Sequence, residues 1–123
     1  MTGQEYKSAY NNSWALVVGI NNYKYAPHLE YACNDAAAVA ETLISSLGFP
    51  SKHVIVLKDA KATKDRIFQA YLDFHNTAND PNDRILVFFA GHGHTKKGKR
   101  ENVGFLVPVD GKGGQPSHID SVG

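Results

Sequence analysis

The stretch Asp83-Arg84-Ile85-Leu86-Val87-Phe88-Phe89-Ala90-Gly91-His92-Gly93-His94 decides the fold, because a continuous apolar run ends abruptly in small residues and two histidines. The run Ile85 to Ala90 is rich in β-branched and aromatic residues. It predicts a strand buried on both faces, and therefore a sheet with helices on each side. In open α/β sheets, ligands and chemistry collect beyond the carboxyl ends of the strands, which makes His92, set between Gly91 and Gly93, the first functional candidate. The two glycines would let backbone pass close to a bound partner, or take φ above zero without steric cost.

Upstream of this stretch, Trp14 to Val18 is a short apolar run closed by Gly19, predicting a first buried strand that ends in the loop Ile20-Asn21-Asn22-Tyr23. Tyr23, Tyr25, Pro27, His28 and Tyr31 make that loop aromatic and stiff. Two roles stay open for them: a cover over the end of the sheet, or an exposed binding rim. Asn34 and Asp35 then precede a helix over 36–47, with Ala36, Val39, Ala40, Leu43 and Leu47 on one face, Asp35 in the capping region and Gly48 as the stop. A second strand is expected over His53 to Leu57 and a loop over Lys58 to Ala62. A second helix, capped by Thr63, is expected to run to about His75, with Asp65 in its first turn and Ile67, Tyr71 and Leu72 turned inward.

The order strand, helix, strand, helix, strand, with crossovers of about 30 residues, predicts an α/β fold with a mostly parallel sheet flanked by helices on both faces. The strand at 85 is expected to be its centre. Beyond His94, Thr95 to Glu101 reads as a charged loop, Val103 to Val109 as a further short strand, and Lys112 to Gly123 as a tail without regular structure. Residues 1–13 form an N-terminal lead, 14–110 the body of the domain, and 111–123 a loop or linker. So little sheet suggests an incomplete domain whose remainder lies elsewhere.

Composition narrows the function classes. The chain has 123 residues, 42% of them hydrophobic, and 13 basic against 12 acidic side chains, for a net charge of +1. That balance gives no support to a nucleic-acid surface. The apolar runs are too short to span a bilayer and no apolar leader follows Met1, so a cytoplasmic setting without membrane attachment is expected. A single cysteine, Cys33, excludes an internal disulfide within the chain.

Chemistry can be sought in three places. His92 is suited to general-base work, since imidazole titrates near neutral pH and its glycine neighbours leave room for a substrate backbone. Cys33, near a helix start where the dipole would favour a thiolate, is either a nucleophile or a small packing residue. Asp35 is either a helix cap or an acidic group facing the cleft. His92 and His94 would point the same way on a continuing strand. Without an H-E-x-x-H or C-x-x-C partner set, however, no metal site is expected, and the absence of a P-loop or dinucleotide glycine pattern argues against a nucleotide cofactor.

Taken in order, four stretches resemble the caspase-like cysteine peptidases: Ala15-Leu16-Val17-Val18-Gly19-Ile20-Asn21-Asn22-Tyr23; Leu29 with Cys33-Asn34-Asp35-Ala36; Leu57-Lys58-Asp59 with Ala62-Thr63; and Phe88-Phe89-Ala90-Gly91-His92-Gly93. The likeness is to metacaspases and related prokaryotic members more than to animal caspases, and it spans Trp14 to Asp110. It implies a polypeptide substrate, His92 as base and then acid, and the backbone N–H of Gly93 as part of an oxyanion hole. The family's nucleophilic cysteine follows its histidine by about 50 residues, which lies beyond Gly123. Cys33, ahead of the histidine, matches the neighbourhood of Asn34-Asp35-Ala36 and not the nucleophile.

The resemblance therefore implies a Cys-His peptidase whose cysteine is carried by a remaining C-terminal part of the domain, in the same or a separate chain, and a fragment inactive alone. A catalytically inactive interaction module is the alternative. A receiver-type domain would want acidic residues after the first strand, where this chain has Asn21-Asn22-Tyr23. Asp35, with no arginine before Arg66, favours a lysine or arginine on the substrate before the cut, because a buried carboxylate discriminates through the cost of leaving a charge unpaired.

Overall fold

The computed structural model describes residues 12–78, 80–97, 102–112 and 119–120, and for 94–97, 102, 103, 119 and 120 the backbone alone. The N-terminal lead at 1–11 and most of the C-terminal tail lie outside the described residues. The elements run β1 (Ser13–Gly19), α1 (Ala32–Ser45), β2 (Val54–Lys58), α2 (Lys64–Thr77), β3 (Arg84–Ala90), β4 (Gly93–Lys97), β5 (Asn102–Leu106) and β6 (Ile119–Asp120).

The main sheet has the order β2-β1-β3, and both pairings are parallel. Period-two alternation of β1 sends its side chains to two separate cores. Ala15 and Val17 pack with Ala36, Ala40, Leu43 and Phe49 on the α1 face. Leu16 and Val18 pack with Leu57, Ile67, Ala70, Phe74, Val107 and Val109 on the α2 face. The expected α/β sandwich, a mostly parallel sheet with helices on both sides, is thus the observed one. Gly19 lets α1 come in against the strand: a Cβ there would stand 2.7 Å from both the Ala32 carbonyl and the Ala36 methyl group.

The centre of the sheet is β1 and not β3. Among the described residues β3 has β1 as its one strand partner, and Val87 is 47% exposed. The expectation of a strand buried on both faces is corrected accordingly. An apolar run carries no mark of whether it lies inside a sheet or at its edge, because neighbours set that.

Helix α1 begins at Ala32, earlier than the sequence suggests. Tyr31 occupies the cap position without a side-chain bond, and Asp35 lies inside the first turn. The helix ends as expected, on Gly48 at φ 74, with the Phe49 amide returning to the Leu43 carbonyl at 3.0 Å. Helix α2 does start on Thr63, whose hydroxyl accepts the Arg66 amide at 3.2 Å. Its inward face is Ile67, Ala70 and Phe74, while Tyr71 and Leu72 are 41% and 47% exposed, so the inward assignment of those two is corrected. A tyrosine and a leucine read as core by composition, but α2 is seated on the stripe of Ile67, Ala70 and Phe74, and the two positions after Ala70 are turned away from it.

Past His92 the chain forms a second, antiparallel sheet, β4-β5-β6. Thr95 to Lys97 belong to β4 and not to a charged loop, and Ile119–Asp120 pair with β5 within the supposedly irregular tail. Both departures come from cross-strand backbone bonding, which does not depend on apolar side chains. Segment 107–110 leaves β5 and crosses the carboxyl end of the main sheet. Its Val109 exchanges backbone bonds with Ala62 and Lys24, and the Asp110 carboxylate accepts the Lys64 amide at 3.0 Å.

Candidate active site

At the carboxyl ends of β1 and β3 the parallel register places Gly19 beside Ala90, and the Ile20 amide continues the ladder to the Ala90 carbonyl at 3.0 Å. From there β1 runs into the loop 20–31 and β3 runs into Gly91-His92. The two segments meet at His92.

Three contacts hold His92. Its backbone N–H donates to the Tyr23 hydroxyl at 2.7 Å, and its carbonyl accepts the Val107 amide at 3.0 Å. Its ring nitrogen Nε2 lies 2.8 Å from the Pro27 carbonyl. A carbonyl oxygen only accepts, so this bond assigns the proton of the neutral ring to Nε2 and leaves the Nδ1 lone pair as the basic atom. The Tyr23 ring lies against the imidazole, with centroids 4.7 Å apart and a 51° tilt.

The Tyr23 hydroxyl completes its own bonding by donating to the Val107 carbonyl at 3.0 Å. Tyr23 is buried, and burial pushes its phenol up to about 12 in spite of the opposing His92 backbone bond. Gly91 is required here for space and not for φ: a Cβ would run into the Tyr23 hydroxyl and stand 2.9 Å from the Phe89 ring. Gly93 is open, with the Phe105 carbonyl 3.6 Å from a Cβ placed on it. Among the described residues the one glycine with positive φ is Gly48, so the freedom expected of Gly91 and Gly93 is not used as left-handed backbone.

Beside the β3 end lies an open groove of about 440 Å³, lined by Leu29, Glu30, Tyr31, Ala32 and Asp35 on one wall and by Phe88, Phe89, Ala90 and Gly91 on the other. Asp35 is exposed, which corrects the expectation of a buried carboxylate, because the first turn of α1 faces the open groove that it lines. The structure therefore brings Asp35 to the same end of the sheet as His92.

Cys33 is set apart from that chemistry. Its sulfur contacts the Gly19 carbonyl at 3.4 Å, and its amide donates to Asn21 Oδ1 at 3.3 Å. Burial, and then the neighbouring Asp59 carboxylate, push the thiol up from its ordinary value, so the thiolate that the helix dipole suggested is disfavoured. Among the described residues, no group of three His, Cys, Asp or Glu side chains is arranged to hold a metal ion. The His94 side chain lies outside the described residues.

The sequence offers Tyr23 and Pro27 as a sheet cover or a binding rim and Asp59 as part of a family stretch, and assigns none of them to holding His92. Pro27 acts through a carbonyl that every residue type possesses, and Tyr23 through a hydroxyl among several loop tyrosines. Asp59 accepts the amides of Asn21 and Asn22 on a single oxygen, Oδ1, at 2.8 and 3.0 Å. Burial works to raise its carboxyl, but the amides of Asn22 and Asn21, the Cys33 thiol and the charge of His28 outweigh it and hold the group below its ordinary value. Its backbone has φ 48, and among the described residues no other non-glycine has positive φ.

The caspase-domain model of peptidase family C14 matches residues 12–120. The chain is 32% identical over 114 residues to a probable protease of a Desulfuromonadales bacterium, covering 80% of this chain and 14% of the relative. It is 27% identical over 95 residues to Metacaspase-1 of Eremothecium gossypii, covering 72% of this chain and 21% of the relative. Metacaspase-1A of Neurospora crassa is 26% identical over 121 residues, covering 89% of this chain and 26% of the relative. The chain thus spans about a quarter or less of the length of these relatives. With the family match running from the head of β1 to β6, on a sheet whose carboxyl edge carries a held histidine, the chain belongs to the caspase-domain peptidase family.

Proposed function

We propose that this domain supplies the histidine half of a cysteine endopeptidase that cuts after arginine or lysine, with the nucleophilic cysteine on a C-terminal part of the domain beyond Gly123. The observation that carries this reading is the pairing of His92 Nε2 with the Pro27 carbonyl at 2.8 Å, which fixes the ring and presents Nδ1 as a base. Nδ1 would take the proton of the cysteine thiol, and the thiolate would add to the scissile carbonyl. The Gly93 N–H would donate to the oxygen that becomes negative. As the C–N bond breaks, the same Nδ1 returns the proton to the leaving amine, and water then hydrolyses the acyl-enzyme. Asp35, on the wall of the groove beside β3, would receive the cation of the residue before the cut.

The test is hydrolysis of peptide substrates with arginine, lysine or aspartate before the cut by the full-length protein, wild type and His92→Ala. Cleavage after the basic residues is expected, with His92→Ala reducing kcat by about 10²- to 10⁴-fold at an unchanged fold and His94→Ala being far milder. Equal losses from the two histidine variants would favour a paired role for them. A wild-type protein that neither cuts peptides nor reacts with a peptide-based thiol inhibitor would instead be an inactive recognition module.

A further inference from the structure

We infer that Asp59 is a positioning residue for His92, acting through the loop that joins β1 to α1; this deepens the peptidase reading and rests on it. Asp59 does not touch His92. What it holds is the root of the loop that does: Oδ1 accepts the amides of Asn21 and Asn22 at 2.8 and 3.0 Å. Asn21 in turn closes the loop on itself, its carbonyl accepting the Leu29 amide at 2.8 Å, and ties it to α1, its side-chain oxygen accepting the Cys33 amide at 3.3 Å. Between Asn21 and Leu29 stand two of the three groups that bond His92, the Tyr23 hydroxyl and the Pro27 carbonyl.

The carboxylate is therefore two links from the imidazole. Loosening it frees the segment that sets the ring's tautomer and direction. A charged acceptor makes these amide bonds stronger than a neutral one would. The backbone at Asp59, φ 48, is a conformation that costs energy in a side-chain-bearing residue and persists where the surroundings demand it. Strain of this kind at the foot of a loop that grips a catalytic ring is expected when the carboxylate has to reach one particular pair of amides.

Two substitutions separate the carboxylate from the backbone. Asp59→Gly removes the acceptor and accepts φ 48 without strain. Asp59→Asn keeps an Oδ1 that can receive both amides, and asparagine tolerates the left-handed region. In the full-length protein, Asp59→Gly is expected to lower kcat on an arginine peptide by about 10- to 100-fold, the scale of a small misplacement of a catalytic group, while KM and Tm stay close to wild type. Asp59→Asn should remain within about threefold of wild type, because the hydrogen-bond geometry that orients the base is retained.

Nitrogen NMR of the His92 ring gives a readout that does not need activity. Wild type and Asp59→Asn should show the proton on Nε2, and Asp59→Gly a mixture of tautomers. Wild-type kcat and tautomer in Asp59→Gly, or a loss confined to KM or tracking Tm, overturns the inference. If the glycine variant does not fold, Asp59→Ala, which also removes the acceptor, decides: wild-type kcat and tautomer in that variant overturn the inference. A wild-type protein without peptidase activity defeats the peptidase reading, while the tautomer shift still decides whether Asp59 positions the ring.

Discussion

The hydroxyl of Tyr23 accepts the backbone amide of His92 at 2.7 Å, across 69 residues of sequence. Because the same oxygen donates to the Val107 carbonyl at 3.0 Å, one phenol joins the loop after β1, the end of β3 and the segment after β5. The position of His92 is thus set from outside its own strand.

Tyr23→Phe leaves the His92 N–H and the Val107 carbonyl without this partner and should destabilise the full-length protein by about 1–3 kcal/mol. The pH dependence is more specific. A phenol raised from 10.0 to about 12 in the folded state contributes stability that is fully present below pH 10 and is lost as the pH climbs toward 12. The two-unit shift corresponds to about 3 kcal/mol. Denaturant unfolding at rising pH should therefore show a steeper alkaline loss in wild type than in Tyr23→Phe. Parallel curves would mean that the phenol ionises as it does in water.

Gly91→Ala should fail for a different reason. Its methyl group would meet the Tyr23 hydroxyl and the Phe89 ring, so the β3 exit must shift and carry His92 with it. A loss of kcat by about 10²-fold is expected. Combining Gly91→Ala with Tyr23→Phe relieves the first clash, and the double variant should be less impaired than additivity predicts. Strict additivity of the two stability changes would show that the groups do not collide.

Cys33→Ser should leave peptidase turnover nearly unchanged and should not alter labelling by a peptide-based thiol inhibitor. The thiol is pushed toward its protonated form and turned to the Gly19 carbonyl and Asp59. Mass spectrometry that maps the inhibitor to Cys33 would reverse this assignment.

Asp35 offers a clean electrostatic test because its carboxylate is not the helix cap. Loss of its charge from the first turn of α1 should cost only about 0.3–1 kcal/mol of stability. Asp35→Asn is expected to depress kcat/KM for arginine and lysine peptides by up to about fivefold, the scale of an ion pair at an exposed carboxylate. A full basic preference in the variant, or cleavage after aspartate by wild type, would leave Asp35 without a part in specificity.

Much of this architecture is legible in the residues. The strands at Trp14 to Val18 and Ile85 to Ala90, the cap at Thr63 and the stop at Gly48 follow from local patterns, because apolar runs, capping hydroxyls and left-handed glycines act over a few residues. The sequence by itself also determines that His92 follows a strand end between two glycines, and that Asp35 lies near a helix start after the first strand. Only the tertiary structure decided that β1 is the centre and β3 lies at the edge of the described sheet, since hydrogen-bonding neighbours are chosen across the fold and leave no trace in composition. It alone decided that Tyr23 and Pro27 grip His92, and that Asp59 holds the loop carrying both. Each of those contacts has a backbone amide or carbonyl on at least one side, and backbone groups are the same in every residue, so which of them the Tyr23 hydroxyl, the His92 ring or the Asp59 carboxylate meets is set by where the chain is folded.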